Sequence, residues 1–320
     1  MSEPTYRQTF SHAWKLAWHH KILWIFGLLS VLLGQFGLDN FVGQLALLGS
    51  GQALFMPRFQ SFSIAPFFQW SAVLWSVWLL VIIIGVLALL ILMTVAAQGA
   101  LIAAAGNWFK IKRPPNLAKA WHTGVAHFWR LLLVNIIKRA LFLVLLLALY
   151  QAVVSLTALE SVAYQAMLVL IFSAGTFCAL IISATAIYAS GYIVIERESA
   201  LSAFRHGWDL LRRHFLASLE LSIILLLVDV ALIVLIATIT VWFFIPSFIF
   251  TIAAGFTGWT GLVSFGIGMS MAFLLIFLAL LGSFYNSFIT IAWTYAFMKM
   301  HREGVTARLF HWFSNILKKA

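Results

Sequence analysis

The sequence predicts an all-α fold: a polytopic membrane helix bundle of about six transmembrane helices as three hairpins, each preceded by an amphipathic interfacial helix. A single integral membrane domain covers residues 1–320. Three observations predict this. Hydrophobic residues make up 63% of the chain and charged residues 9%, against about 25% charged in soluble domains. Uncharged stretches at 59–109, 140–159, 161–195 and 230–298 reach or exceed the ~20 residues that cross a hydrocarbon core of about 30 Å. Finally, 19 of the 20 Lys and Arg residues fall in segments that alternate with apolar hairpins.

The spans are predicted at 22–38, 71–97, 140–158, 165–193, 216–245 and 264–298. The first follows basic residues but has no small-residue cleavage signature, so it reads as a retained helix. Pro57, Pro66, Pro114, Pro115 and Pro246 lie between apolar runs, where they mark turns. The single cysteine, Cys178, has no partner for a disulfide and reads as a packing residue. Gly99, Ala103, Ala104, Ala186 and Ser190 are small residues suited to close helix approach. The uncharged run 161–195 would extend about 50 Å as one helix, enough to project beyond the bilayer.

Counted by segment, Lys and Arg number three before the first span, seven between the second and third, four between the fourth and fifth, and five at the C-terminus. Only Arg58 lies opposite. An excess of Lys and Arg marks the cytoplasmic face, so both termini are placed there, in an inner membrane. The nine histidines fall in or beside the same segments.

A short amphipathic stretch precedes each odd-numbered span. The clearest places Leu201, Phe204, Trp208, Leu211 and Phe215 on one face, with Arg205, His206, Asp209, Arg212 and Arg213 opposite. Three copies share a frame: Phe10-Ala13-Trp14-His20, Leu117-Ala120-Trp121-His127 and Phe204-Gly207-Trp208-His214. The chain therefore reads as three units of in-plane helix plus transmembrane hairpin. A fourth amphipathic stretch, built on Val305, Leu309, Trp312, Phe313 and Ile316, closes the sequence.

The stretch from Gly191 through Glu196-Arg197-Glu198-Ser199-Ala200 to Trp208 and Phe215 resembles the cytoplasmic segment of a loose bacterial group of six-helix membrane proteins. That group includes the membrane domain attached to some glycerophosphodiester phosphodiesterases. The resemblance implies the hairpin fold and a bacterial cytoplasmic (inner) membrane. It implies no hydrolase activity, because the catalytic part of those enzymes is a soluble barrel needing about 250 residues.

Reading the sequence through finds no His-Glu-x-x-His, P-loop, Gly-x-Ser-x-Gly or dinucleotide glycine pattern, so no catalytic residue, metal or cofactor is assigned. His20, His127 and His214 could converge about a pseudo-threefold axis, but no carboxylate recurs beside them, and they read as interfacial side chains. Polar groups inside the membrane carry more information, since a charge at a helix centre costs about 2.5 to 3.5 kcal/mol on insertion scales. The candidates are Asp229, Glu220, Gln35, Asn135, Lys138 and Arg139. Asp229 is the deep one, about 22 Å past His214 along a helix. Glu220 lies on the opposite side of that helix and is expected to pair with Lys138 or Arg139, orienting two helices. Asp229 has no cation at its depth, and Gln35 is its expected neighbour.

The function expected is non-enzymatic: binding of membrane lipid, anionic by charge, or of a membrane-protein partner through the basic girdle, with Arg197, Arg205, Arg212 and Arg213 as lipid contacts. A transporter or channel for a small solute or lipid is the alternative, favoured by repeats and by Asp229. A membrane-embedded enzyme is the third. Nothing points to nucleic acid.

Overall fold

The computed structural model describes residues 5–31, 70–111, 116–156 and 162–303. Among these the chain is helical throughout, without a strand. The helices are α1 (Thr5–His19), α2 (Leu23–Val31), α3 (Trp70–Ile111), α4 (Leu117–Ala126), α5 (Phe128–Leu156), α6 (Val162–Ile195), α7 (Ala200–Arg213), α8 (Phe215–Phe243), α9 (Ile245–Thr257) and α10 (Gly261–Glu303). Five segments are long and apolar enough to span a membrane: Val77–Ile111, Phe128–Val154, Ala166–Ile195, Phe215–Thr257 and Gly261–Arg302. The predicted span 22–38 lies partly outside the described residues, as do Gln35 and the amphipathic stretch after residue 303.

Three boundaries differ from the sequence reading. Helix α5 begins at Phe128, not at 140, because Lys138 is buried at 3% exposure instead of marking the end of the apolar run. Helix α3 continues to Ile111 because Gly99 and Ala103 to Ala105 seat it among neighbouring helices. The predicted loop 246–261 is mostly helix α9, with Pro246 in its first turn, where a missing N–H costs nothing. Gly258, in the left-handed region at φ 72°, ends α9 and donates its N–H to the Ala254 carbonyl at 2.8 Å. The chain then reverses, and Ser247 N–H reaches Ser270 Oγ at 3.2 Å, holding α9 against α10.

Burial is strongly one-sided. The main core joins α1, α2, α4, α7, the C-terminal halves of α3, α6 and α10, and the N-terminal parts of α5 and α8. This is the end that carries the basic residues. At the far end the helices expose apolar side chains, and α3 does so around its whole circumference from Val77 to Leu92. Such surface is stable only in lipid.

Each amphipathic helix lies against the basic end of a long helix. Helix α4 packs on α3, α7 on α6 and α1 on α10. Small residues permit the approach. A Cβ at Gly207 would stand 2.9 Å from the Thr185 carbonyl oxygen, and one at Gly124 would fall on the Ala96 carbonyl. In α1 the buried residues are Thr9, Ala13, Leu16 and Ala17. Three histidines mark the three exits: His20 separates α1 from α2, and His127 and His214 cap α4 and α7. The backbone N–H of each bonds four residues back, to Leu16, Thr123 and Leu210.

Candidate functional site

Helix α10 supplies a polar stripe through an apolar span. Ser283, Asn286, Ser287, Thr290 and Thr294 recur at three- and four-residue spacing and all are buried. The first three clamp α2. Ser283 Oγ donates to the Trp24 carbonyl, Ser287 Oγ to the Leu23 carbonyl at 3.0 Å, and Asn286 Nδ2 to the Gly27 carbonyl at 2.9 Å and to Ser30 Oγ at 2.6 Å. Gly27 permits this contact, because a Cβ there would fall on the Ser283 carbonyl and the Ser287 hydroxyl.

Thr290 and Thr294 face the first of two spaces beside α10. This one, with about 320 Å³ of empty volume, lies between α3, α6 and α10 and is lined by Gln98, Ile187, Thr290, Trp293 and Thr294 among others. The second, about 400 Å³, lies between α6, α8 and α10, where Ser183, Ser222 and Asp229 contribute polar groups. Ile187 and Trp293 border both.

The predicted intramembrane candidates separate on this frame. Asn135, buried on α5, donates Nδ2 at 2.9 Å to Oε1 of Gln98, which lines the first space. Asp229, half-buried on α8, lines the second and accepts from the Tyr285 hydroxyl of α10. The expected neighbour Gln35 lies outside the described residues. Tyr285 was the partner that charge-based reading overlooked. Lys138 and Glu220 are both buried, whereas Arg139 is exposed. Cys178, read as a packing residue, is exposed on α6.

At the basic end, α7 presents three distinct faces. Ala200, Ala203, Gly207, Leu210 and Leu211 are buried. Leu201 and Trp208 point outward, 60% and 47% exposed, whereas Leu211, expected on the same face, is buried, and Arg205 and Arg212, expected opposite, are exposed beside them. The small residues win the inner face because only they allow the close approach to α6. At about 100° per residue, Leu201, Arg205, Trp208 and Arg212 share an outward arc of about 60°. Ser199 caps the helix, accepting from Ser202 N–H at 3.4 Å. Arg197, exposed and left-handed at φ 60°, makes the turn into it, and Arg130 Nη1 of α5 holds that turn through the carbonyls of Arg197 at 2.9 Å and Glu198 at 3.3 Å.

The three Trp and His positions are not chemically alike. Trp14 is half-exposed and stacks on Trp18, whereas Trp121 stacks on Phe26 of α2 at 5.9 Å. His20 packs edge-on to Trp108 at 5.3 Å, and its pKa is lowered first by burial and then by the adjacent His19. His127 Nδ1 lies 2.8 Å from the Thr123 carbonyl, and His214 lines a pocket at the mouth of α8. Among the described residues no three His, Cys, Asp or Glu side chains are grouped to hold a metal ion. No family model matches the chain, and no curated protein or solved structure matches it.

Proposed function

We propose that the protein is a lipid-binding domain of a bacterial inner membrane, with its basic end in the cytoplasmic leaflet and six spans arranged as three hairpins. The observation that carries this reading is the outward arc of α7, where Leu201 and Trp208 alternate with Arg205 and Arg212. That pattern suits a membrane surface: indole and leucyl groups enter the acyl boundary while guanidinium groups meet phosphates, each worth about 1 kcal/mol near an anionic surface. Exposed Trp14, Trp18 and Trp129 at the same end continue an aromatic belt. The cyclic order in which α1 rests on α10, α4 on α3 and α7 on α6 supports a threefold internal repeat. In native mass spectrometry after mild purification, Arg205→Gln with Arg212→Gln should lose phosphatidylglycerol and cardiolipin adducts. Unchanged adducts would refute the proposal.

The space beside Asp229 and Trp293 favours a second reading, passage of a small polar solute between α6, α8 and α10. Solute-dependent flux into proteoliposomes, abolished by Asp229→Asn, would support it in preference to lipid binding alone.

A further inference from the structure

The inner edge of α7, about 100° around from its lipid-facing arc, borders a different feature. Here the ends of α6 and α10, the flank of α7 and the start of α8 border a pocket open to its surroundings, lined by Tyr192, His206, Asp209, Leu210, Arg213, His214, Met300 and His301. Buried Leu210 and Met300 supply apolar lining. Aromatic rings form a wall: Tyr192 lies edge-on to His301 at 5.3 Å and to Phe297 at 4.9 Å, with His206 at 5.6 Å. The Tyr192 hydroxyl meets His301 Nδ1 at 3.3 Å, which fixes that wall.

The charges around this wall are mixed, unlike those of the basic layer in which it sits. Tyr192 lies within the electrostatic reach of the Glu198, Glu196 and Asp209 carboxylates and of the Arg213 guanidinium. Glu198 is engaged by His206 at 2.7 Å. Asp209 and Arg213, one helical turn apart, form no ion pair among the described residues, although that spacing is the ordinary one for such a pair. Both are exposed and both border the pocket. A purely anionic ligand would meet repulsion from Asp209, and a purely cationic one from Arg213. A ligand carrying both signs satisfies the two at once: its phosphate takes the forked donors of Arg213 with His214 beside them, and its ammonium takes Asp209 and the aromatic faces of the wall.

We propose that this pocket binds a zwitterionic phosphate ester, a phosphate bearing an ammonium group as in a phosphoethanolamine unit. It is distinct from the outward arc, and neither Arg205 nor Arg212 takes part. The same chemistry is offered by a lipid headgroup and by a soluble ester, and the two are separable by titration. The full chain in a non-ionic maltoside is titrated calorimetrically with phosphoethanolamine, inorganic phosphate, ethanolamine, and short-chain phosphatidylethanolamine and phosphatidylglycerol.

Both zwitterions should bind at least about tenfold more tightly than phosphate or ethanolamine, whereas phosphatidylglycerol, held at the outward arc, should bind the parent and Asp209→Asn alike. Tighter binding of the short-chain lipid than of phosphoethanolamine assigns a headgroup, and equal or weaker binding assigns the soluble ester. Asp209→Asn should remove the preference for zwitterion over phosphate, and Arg213→Gln should weaken both. No zwitterion binding at millimolar concentration, or an unaltered preference in a folded Asp209→Asn variant, would overturn the proposal. Both substituted side chains are exposed, so thermal unfolding of the variants should match the parent.

Discussion

One methyl group added at Gly27 tests whether polar contacts hold the basic end together. Between α2 and α10 the Cβ of Gly27→Ala would land on the Ser283 carbonyl and the Ser287 hydroxyl, and the carbonyl is backbone that cannot rotate away. The helices must therefore separate. Four hydrogen bonds cross that contact, from Ser283, Ser287 and, twice, Asn286. Interhelical side-chain bonds in membrane proteins average about 0.6 kcal/mol, so losing all four costs about 2 to 3 kcal/mol. Gly282, also on α10, is the control, since a Cβ there meets nothing within 4 Å. Its replacement by Ala should be neutral or stabilising by about 0.5 to 1 kcal/mol, because glycine weakens a helix interior by that amount. Unfolding followed by circular dichroism in mixed dodecyl sulfate and maltoside micelles measures both. If Gly27→Ala unfolds at the same detergent fraction as Gly282→Ala, the clamp is not what holds α2.

Two further outcomes are expected. Tyr285→Phe and Asp229→Leu should each lose about 0.6 to 1.7 kcal/mol in the same assay, while Asp229→Asn, which keeps an acceptor for the Tyr285 hydroxyl, should lose little; strictly additive losses in the Tyr285→Phe, Asp229→Leu double variant would show that the two side chains do not interact. With exposed Cys178 replaced by Ser, a cysteine at Gln60 should react with an impermeant maleimide added to whole cells and one at Ser202 only after permeabilisation; the reverse labelling would invert the proposed orientation.

Hydropathy made the long helices legible because lipid leaves no alternative to continuous backbone hydrogen bonding. Their ends were less so. A charge normally stops an apolar window, yet Lys138 is accommodated inside the protein, and α5 runs twelve residues further toward the basic end than the window allowed. Pro246 was read as a loop because proline breaks helix interiors, but the first turn tolerates it. The faces of α7 also differ from the sequence reading: Leu201 and Trp208 share the outward arc with Arg205 and Arg212 instead of standing opposite them, and close approach to α6 selects Ala203 and Gly207 for the inner face. Asp229 is legible as an intramembrane group because it is charged, whereas its neutral partner Tyr285 carries no such signal. Period is the stronger signal on α10. Ser283, Ser287, Thr290 and Thr294, with Asn286 beside them, repeat like one helix face inside a span that otherwise exposes Phe265, Leu275 and Ile276.

That stripe also explains why the core gathers at one end. In lipid, apolar side chains gain nothing by leaving the acyl chains for one another, so helices associate only where small residues admit close contact or polar groups bond across. In this chain both features cluster at the basic end. Gly27, Gly99, Gly124 and Gly207 permit the approaches, and Gln98, Asn135, Tyr188 and Asn286 make bonds across helices there. Toward the far end the same helices offer mainly Leu, Ile, Val and Phe, and α3 is exposed at every position from Val77 to Leu92. The distribution of polar and small residues along each helix, more than its hydrophobicity, therefore decides where the bundle closes. The same closed end carries the pocket that Asp209 and Arg213 flank between α6, α7, α8 and α10.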